Sequence, residues 1–157
     1  MGFSEPEVVA VTPQWLPVYQ NLAQAYESEF SRLTRKKPDR EGRFCRGTEL
    51  GETVEGFLLY QDGIPCGLAS VVDHGDQHEV RDLYIIPACR HGHLGRHLVQ
   101  SLLDRHPGIW ISRPMESAQD LVKFWQRVLE DYTHGHFEQQ RMSDPQYGAV
   151  IQFRFWR

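Results

Sequence analysis

Residues 82–100 read DLYIIPACRHGHLGRHLVQ. The opening DLYII is apolar and β-branched, and Pro87 stops it, so a strand is predicted there. Leu94, Leu98, Leu102 and Leu103 recur at helical steps and predict a helix that ends near His106-Pro107-Gly108. Between the two lie Gly92 and Gly95, set among Arg90, His91, His93 and Arg96. A strand that enters a helix through such a loop can aim several backbone N–H groups at one spot, and the positive end of the helix favours an anion there. Glycines would let a ligand approach the backbone closely, and the arginines add positive charge. On this stretch alone, a phosphate cradle, a histidine metal site and an ordinary basic helix start all remain open.

Two standard phosphate-binding readings fail. The G-x-x-x-x-G-K-[ST] pattern is absent. The preceding strand also closes a run of hairpins, which is not the strand–helix alternation of a dinucleotide-binding fold.

Upstream, EVVAVT (7–12) is a short strand stopped by Pro13. Leu16, Tyr19, Leu22, Ala23, Tyr26, Phe30 and Leu33 then form one apolar helix face, with Thr12 as its predicted N-cap. RKKPDREGR (35–43) is a basic loop. TVEGFLLYQ, the turn Asp62-Gly63 and IPCGLASVVDH predict a hairpin, and HEVRDLYII (78–86) adds a third strand. Downstream, IWIS (109–112) is a strand, and a helix over about Ser117–Asp131 follows, with Ser117 and Asp120 as a capping-box signal. THGHFEQQR (133–141) and AVIQFRF (149–155) predict a terminal β pair joined by SDPQYG (143–148). The order β-α-loop-β-β-β-α-β-α-β-β predicts one α/β (α+β) domain over 1–157 with a mixed, largely antiparallel central sheet.

Composition narrows the function classes. The 157 residues are 40% hydrophobic and 24% charged, with a net charge of −4. That balance argues against bulk attraction to nucleic acid or a membrane surface. No apolar run approaches the roughly 18 residues of a membrane span, and the N-terminus does not resemble a signal peptide. Cys45, Cys66 and Cys89 are odd in number and lack C-x-x-C spacing, which argues against a disulfide framework or a cysteine zinc site. A cytoplasmic protein is expected.

The stretch 82–100 and its flanks resemble the GNAT superfamily of acyl-CoA-dependent N-acetyltransferases. The family signature is a strand with a Pro-containing end, then [RQ]-x-x-G-x-[GA], then a helix. Here those parts are DLYIIP (82–87) and Arg90-His91-Gly92-His93-Leu94-Gly95. The family's first motif glycine falls on His93, while a glycine stands one place earlier at Gly92. The element order fits over nearly the whole chain, and KFWQRVLEDYTHGHFEQ (123–139) resembles the family's fourth-helix region. The family's tyrosine there is Trp125, and its frequent asparagine falls on Ala118.

The resemblance implies a central sheet flanked by helices on both faces. It implies acetyl-CoA as cofactor, with its pyrophosphate on the loop of Arg90, His91, Gly92, His93, Leu94, Gly95 and Arg96. Leu83, Tyr84 and Ile85 would lie along the pantetheine, and Trp125 would border it. The implied reaction is acetyl transfer to an amine of a small molecule or protein, by direct attack in a ternary complex. The alternative is a CoA-binding sensor or interaction domain without turnover. Loop 35–43 is a candidate contact for the 3′-phosphate or a gate for the acceptor, and the terminal strand AVIQFRFW is compatible with a homodimer.

Such transfer needs a neutral amine, a polarised carbonyl and a stabilised leaving thiolate. Simple alternation puts Glu79, Arg81, Leu83 and Ile85 on one face of the third hairpin strand and Val80, Asp82, Tyr84 and Ile86 on the other. Asp82 is the first candidate base, because it lies in an apolar strand where burial tunes a carboxylate for proton transfer; pairing with Arg81 is the competing role. Glu79 is the second candidate, against an edge-charge role. Tyr132 is the substitute candidate for a general acid, because indole N–H is no proton source at neutral pH. His91 and His93, His134 and His136, and His74 and His78 are spaced like metal-ligand pairs. No third ligand is predictable beside any pair, so no metal is expected.

Overall fold

The computed structural model describes residues 5–157. Its strands are β1 (Glu7–Ala10), β2 (Val54–Gln61), β3 (Ile64–Asp73), β4 (His78–Ile85), β5 (Ile109–Ser112), β6 (Phe137–Asp144) and β7 (Gly148–Trp156). The helices are α1 (Leu16–Thr34), α2 (Leu94–Leu103) and α3 (Gln119–Thr133), with a single 3-10 turn at Pro87–Cys89. The predicted element order therefore holds. The seven strands form one sheet in the order β1-β2-β3-β4-β5-β7-β6. Every pairing is antiparallel except β4 with β5.

Helices cover both faces, as expected. The period-two pattern of β2 divides its side chains: Phe57 and Leu59 pack with α2 and α3, while Leu58 packs with α1. On one face Leu98, Leu102, Val122, Trp125 and Leu129 meet Val71, Trp110 and Phe153. On the other, Tyr19 and Ala23 of α1 meet Leu68 and Tyr84.

Several boundaries differ from the sequence reading. The first helix begins at Leu16 after a turn in which the Thr12 carbonyl accepts from Trp15 and Leu16 N–H; the Thr12 side chain caps nothing. Likewise α3 starts after Ala118 with no side-chain cap, so the Ser117 signal is not used. His134 and Gly135 end α3 with φ of 55° and 84°, and β6 begins at Phe137. His134 and His136 thus belong to a helix-stop turn, not to a strand. The terminal strand β7 is an inner strand; the edge is the polar β6, FEQQRMSD.

Candidate active site

The strand β4 carries one residue too many for its partner. Ser70 pairs with Asp82 and Val71 with Val80, so Arg81 is the extra residue of a β-bulge. The bulge resets the alternation. Val80 joins Leu83 and Ile85 on the α2–α3 face, whereas Asp82 and Tyr84 face α1. Glu79 pairs with Val72 and lies on the Asp82 side. The expectation that Glu79 and Asp82 lie on opposite faces is corrected by this single residue.

The bulge also marks where the sheet opens. β4 pairs with β5 only from His78 to Val80, opposite Trp110 to Ser112. Beyond that point Arg113-Pro114 leads the chain away, and Met115 bridges to Val150. The β5 side of β4 from Arg81 to Ile85 therefore has no strand partner. A cleft of about 270 Å³ fills this opening. Tyr26, Glu27 and Phe30 of α1 line one wall, Leu121 and Trp125 of α3 another, and Glu79, Asp82 and Leu83 the β4 edge. A larger open groove of about 550 Å³ lies at the opposite end of the strands, beside His78 and His106, and contains none of the loop residues.

Within the cleft Asp82 is held by hydroxyl groups. Tyr26 donates to its Oδ1 at 3.0 Å, and Ser70 donates to its Oδ2 at 2.6 Å. No cation pairs with Asp82 among the described residues, so the competing pairing with Arg81 does not occur. Burial, reinforced by the neighbouring Asp82 charge, pushes the Tyr26 hydroxyl well above the ordinary tyrosine range, which keeps it a donor at neutral pH.

Glu79 is engaged differently. It is 5% exposed and accepts from Arg81 at 2.9 Å, with His74 Nε2 at 2.8 Å. Burial opposes its charge, but the hydrogen bonds and charges of Arg81 and His74 outweigh that, and its pKa lies below the ordinary glutamate value. Across the cleft Lys36 pairs with Glu27 at 2.7 Å and donates to the Cys45 carbonyl at 2.8 Å. The basic loop thus contributes Lys36 to the cleft wall. Tyr132 lies elsewhere: it donates to Asp104 at 3.1 Å, with Arg157 over its ring, and does not line the cleft.

The loop after β4 has an unusual backbone. His91 and His93 adopt the left-handed region, with φ of 72° and 63°, while Gly92 does not. The left-handed turns thus fall on the two histidines flanking Gly92. The backbone amides from His91 to Arg96 donate to no protein acceptor among the described residues; the first helical bond runs from His97 N–H to the His93 carbonyl at 3.0 Å. Six consecutive open donors at a helix start suit a multiply charged anion.

The arginines and Gly95 do other work. Arg90 donates to the Ile85 carbonyl at 2.9 Å and to Glu29 at 2.7 Å, and Arg96 pairs with Asp131 at 2.7 Å. Their charge is spent within the protein, so it is not the free positive charge expected of this loop. A Cβ at Gly95 would stand 3.1 Å from Cε2 of Phe124, so this glycine lets α2 close on α3. Among the described residues no group of three or more His, Cys, Asp or Glu could hold a metal ion.

Sequence reasoning missed Tyr26, Ser70 and Glu27. Tyr26 had the spacing of a core residue on α1. Ser70, wholly buried inside the apolar run of β3, was the available signal, because a buried hydroxyl requires a partner.

The family model of the acetyltransferase (GNAT) family matches residues 15–130. No curated protein sequence matches the chain. Solved structures share the fold. An acetyltransferase from Thermus thermophilus superposes with a TM-score of 0.65 at 14% identity, covering 100% of each chain. A GNAT family acetyltransferase from Elizabethkingia anophelis, solved with acetyl-CoA bound, gives 0.62 at 8% identity, covering 98% of this chain and 99% of that one. A mutant form of the spermidine/spermine N-acetyltransferase from Vibrio cholerae gives 0.63 at 11% identity, covering 97% and 95%.

Proposed function

The chain belongs to the GNAT acetyltransferase family, and from that premise we propose that it transfers the acetyl group of acetyl-CoA to an amine, with Asp82 as the base. One observation carries the reading. The hydroxyl-held carboxylate of Asp82 lies on the stretch of β4 that has no β5 partner, and the open amides of residues 91–96 follow that strand in the chain.

Acetyl-CoA supplies the acetyl group as an activated thioester. The amides of His91 to Arg96 receive its pyrophosphate, and Leu83, Tyr84 and Ile85, on the stretch of β4 without a β5 partner, lie along the pantetheine arm. Free N–H groups on this edge polarise a carbonyl without reorganisation, the same physics as an oxyanion hole. Trp125 closes the α3 wall. The amine enters from the α1 side, where Glu27 and Glu79 already hold cationic partners and Asp82 does not. Asp82 takes the proton from the ammonium, directly or through one water, while Tyr26 and Ser70 fix the carboxylate in position. The freed amine attacks the carbonyl in a ternary complex, and the thiolate leaves without a side-chain acid.

The test is thiol release from acetyl-CoA against a panel of amines, with the wild type and Asp82→Asn. Wild type is expected to turn over at least one amine. Asp82→Asn, nearly isosteric, is expected to lower kcat about 100-fold or more at unchanged CoA affinity. CoA binding without thiol release for any amine would replace this reading by that of a non-catalytic CoA-binding domain.

A further inference from the structure

The acetyl-transfer reading uses none of the cysteines, and two of them meet. Cys66 lies on β3 and is 2% exposed, while the partly exposed Cys89 ends the 3-10 turn that leads into the amide loop. Their sulfurs are 3.1 Å apart, with the Cys89 thiol donating to Cys66. Two features of the backbone bring them together. Leu59 pairs with Gly67 and Tyr60 with Pro65, so Cys66 is the extra residue of a second bulge, and bulges re-aim side chains. Ile86 N–H then donates to the Cys66 carbonyl at 2.9 Å, and Cys89 N–H to the Ile86 carbonyl at 3.0 Å, which folds the turn back over Cys66. Burial, with the hydrogen bond from Cys89, pushes the Cys66 thiol up to about 11. An outside reagent therefore meets Cys89 first, and Cys66 waits behind it as a protonated thiol.

We propose that Cys66 and Cys89 form a reversible dithiol–disulfide site whose oxidation loosens the grip of residues 91–96 on CoA. The oxidant is a small-molecule disulfide such as glutathione disulfide. The Cys89 thiolate attacks one of its sulfurs, forms a mixed disulfide and releases one glutathione thiolate. Cys66 then loses its proton to solvent and attacks the Cys89 sulfur; the Cys66–Cys89 bond forms and the second glutathione thiolate leaves. Two protein thiols are oxidised and one glutathione disulfide is reduced to two thiols.

A disulfide bond is about 2.05 Å long, so the sulfurs must close by about 1 Å. Cys66 sits on an inner strand of the sheet, so the movement falls on the turn. His91, the first open amide of the cradle, is two residues beyond Cys89. Displacing these donors by that distance costs about one charge-assisted hydrogen bond to phosphate, roughly a tenfold loss of affinity. This consequence rests on the acetyl-CoA reading; the cross-link does not.

The test uses the full chain carrying Cys45→Ser, which removes the exposed third thiol. After treatment with glutathione disulfide, intact mass should fall by two hydrogen atoms. Peptide mapping should join residues 66 and 89, dithiothreitol should reverse both changes, and Cys66→Ser in the same background should retain a glutathione adduct on Cys89. CoA titrated into the oxidised form should bind about tenfold more weakly than into the reduced form. Adducts without a 66–89 link would overturn the disulfide, and a link that leaves CoA affinity unchanged would overturn its control of the loop. If reduced protein fails to bind CoA, the cofactor reading fails, while the mapped cross-link still decides the disulfide.

Discussion

A methyl group at Gly67 should disturb this protein far more than one at Gly95, although Gly95 belongs to the recognisable loop. Gly67 pairs with Leu59 on β2 and Ile85 on β4, at the point where β4 ends. A Cβ there would lie 2.7 Å from the Tyr84 carbonyl oxygen and 2.7 Å from Cδ1 of Ile85. The isoleucine methyl can rotate away, but the carbonyl is backbone inside the sheet. Gly67→Ala must therefore push β4 outward, and overpacking of this kind costs about 1–3 kcal/mol. For a chain of this length that lowers Tm by roughly 3–10 °C. At Gly95 the contacts are Cε2 and Cζ of Phe124 at 3.1 and 3.3 Å, the edge of a partly exposed ring that can tilt. Alanine also favours a helix over glycine by up to about 1 kcal/mol. Gly95→Ala should therefore shift Tm by no more than about 2 °C. Thermal unfolding of both variants by calorimetry decides the matter. Equal Tm values for wild type and Gly67→Ala, or a larger loss for Gly95→Ala, would refute the packing argument. The KM for acetyl-CoA should rise in Gly67→Ala, because the displaced segment is the open edge of β4. A bulky residue at Gly95, by contrast, would unseat α2 from Phe124, so lost binding there could not be assigned to the phosphates.

Three further outcomes follow from the cleft and its surroundings. Tyr26→Phe removes one of the two hydroxyl donors to Asp82, and should lower kcat about tenfold with little change in the KM for acetyl-CoA, measured by steady-state kinetics. Glu79 has a folded pKa below its unfolded value of about 4.3, so its contribution to stability is present above that pH and lost as pH falls through the folded value; Tm of the wild type should drop more steeply than that of Glu79→Gln below about pH 4.5. His78 stacks on His106 with ring centroids 4.3 Å apart, and burial, then the neighbouring His106 charge, lower its pKa. Its contribution is therefore present above the ordinary histidine value and lost as pH falls below it, and Gln in its place should flatten the Tm profile between about pH 7 and 5.

Much of the fold was legible because each element carries its own apolar period. Tyr19 and Ala23 stand on one face of α1, Phe57 and Leu59 alternate with Leu58 on β2, and Asp62-Gly63 turns the hairpin with φ of 53° and 76°. Helix ends were less legible, because α1 and α3 both start without a side-chain cap. The histidine pair at 134 and 136 had the spacing of a strand motif, but the left-handed residues that stop α3 absorb it. The loop was legible as a run of open donors, which spans residues 91–96. Its conformation was not: the left-handed positions fall on His91 and His93 and the glycine between them is not used for that purpose.

The candidate site depended on a feature with no local signature. Read alone, the alternation of HEVRDLYI breaks at Arg81-Asp82, but nothing in those eight residues fixes which residue is surplus. The surplus exists only relative to β3, where Ser70 must reach Asp82 while Val71 packs against Val80. That relation puts Glu79 and Asp82 on one face, beside α1, and makes them unequal. Glu79 falls where Arg81 and His74 can reach it and becomes a paired, buried charge. Asp82 falls where Tyr26 and Ser70 reach it, and no cation among the described residues pairs with it. A carboxylate fixed by neutral donors at the mouth of an open sheet edge is the arrangement on which the proposed deprotonation of an ammonium group rests. The difference between a structural acid and the candidate base is thus set by one inserted residue, and pairing geometry decides it where side-chain chemistry alone does not.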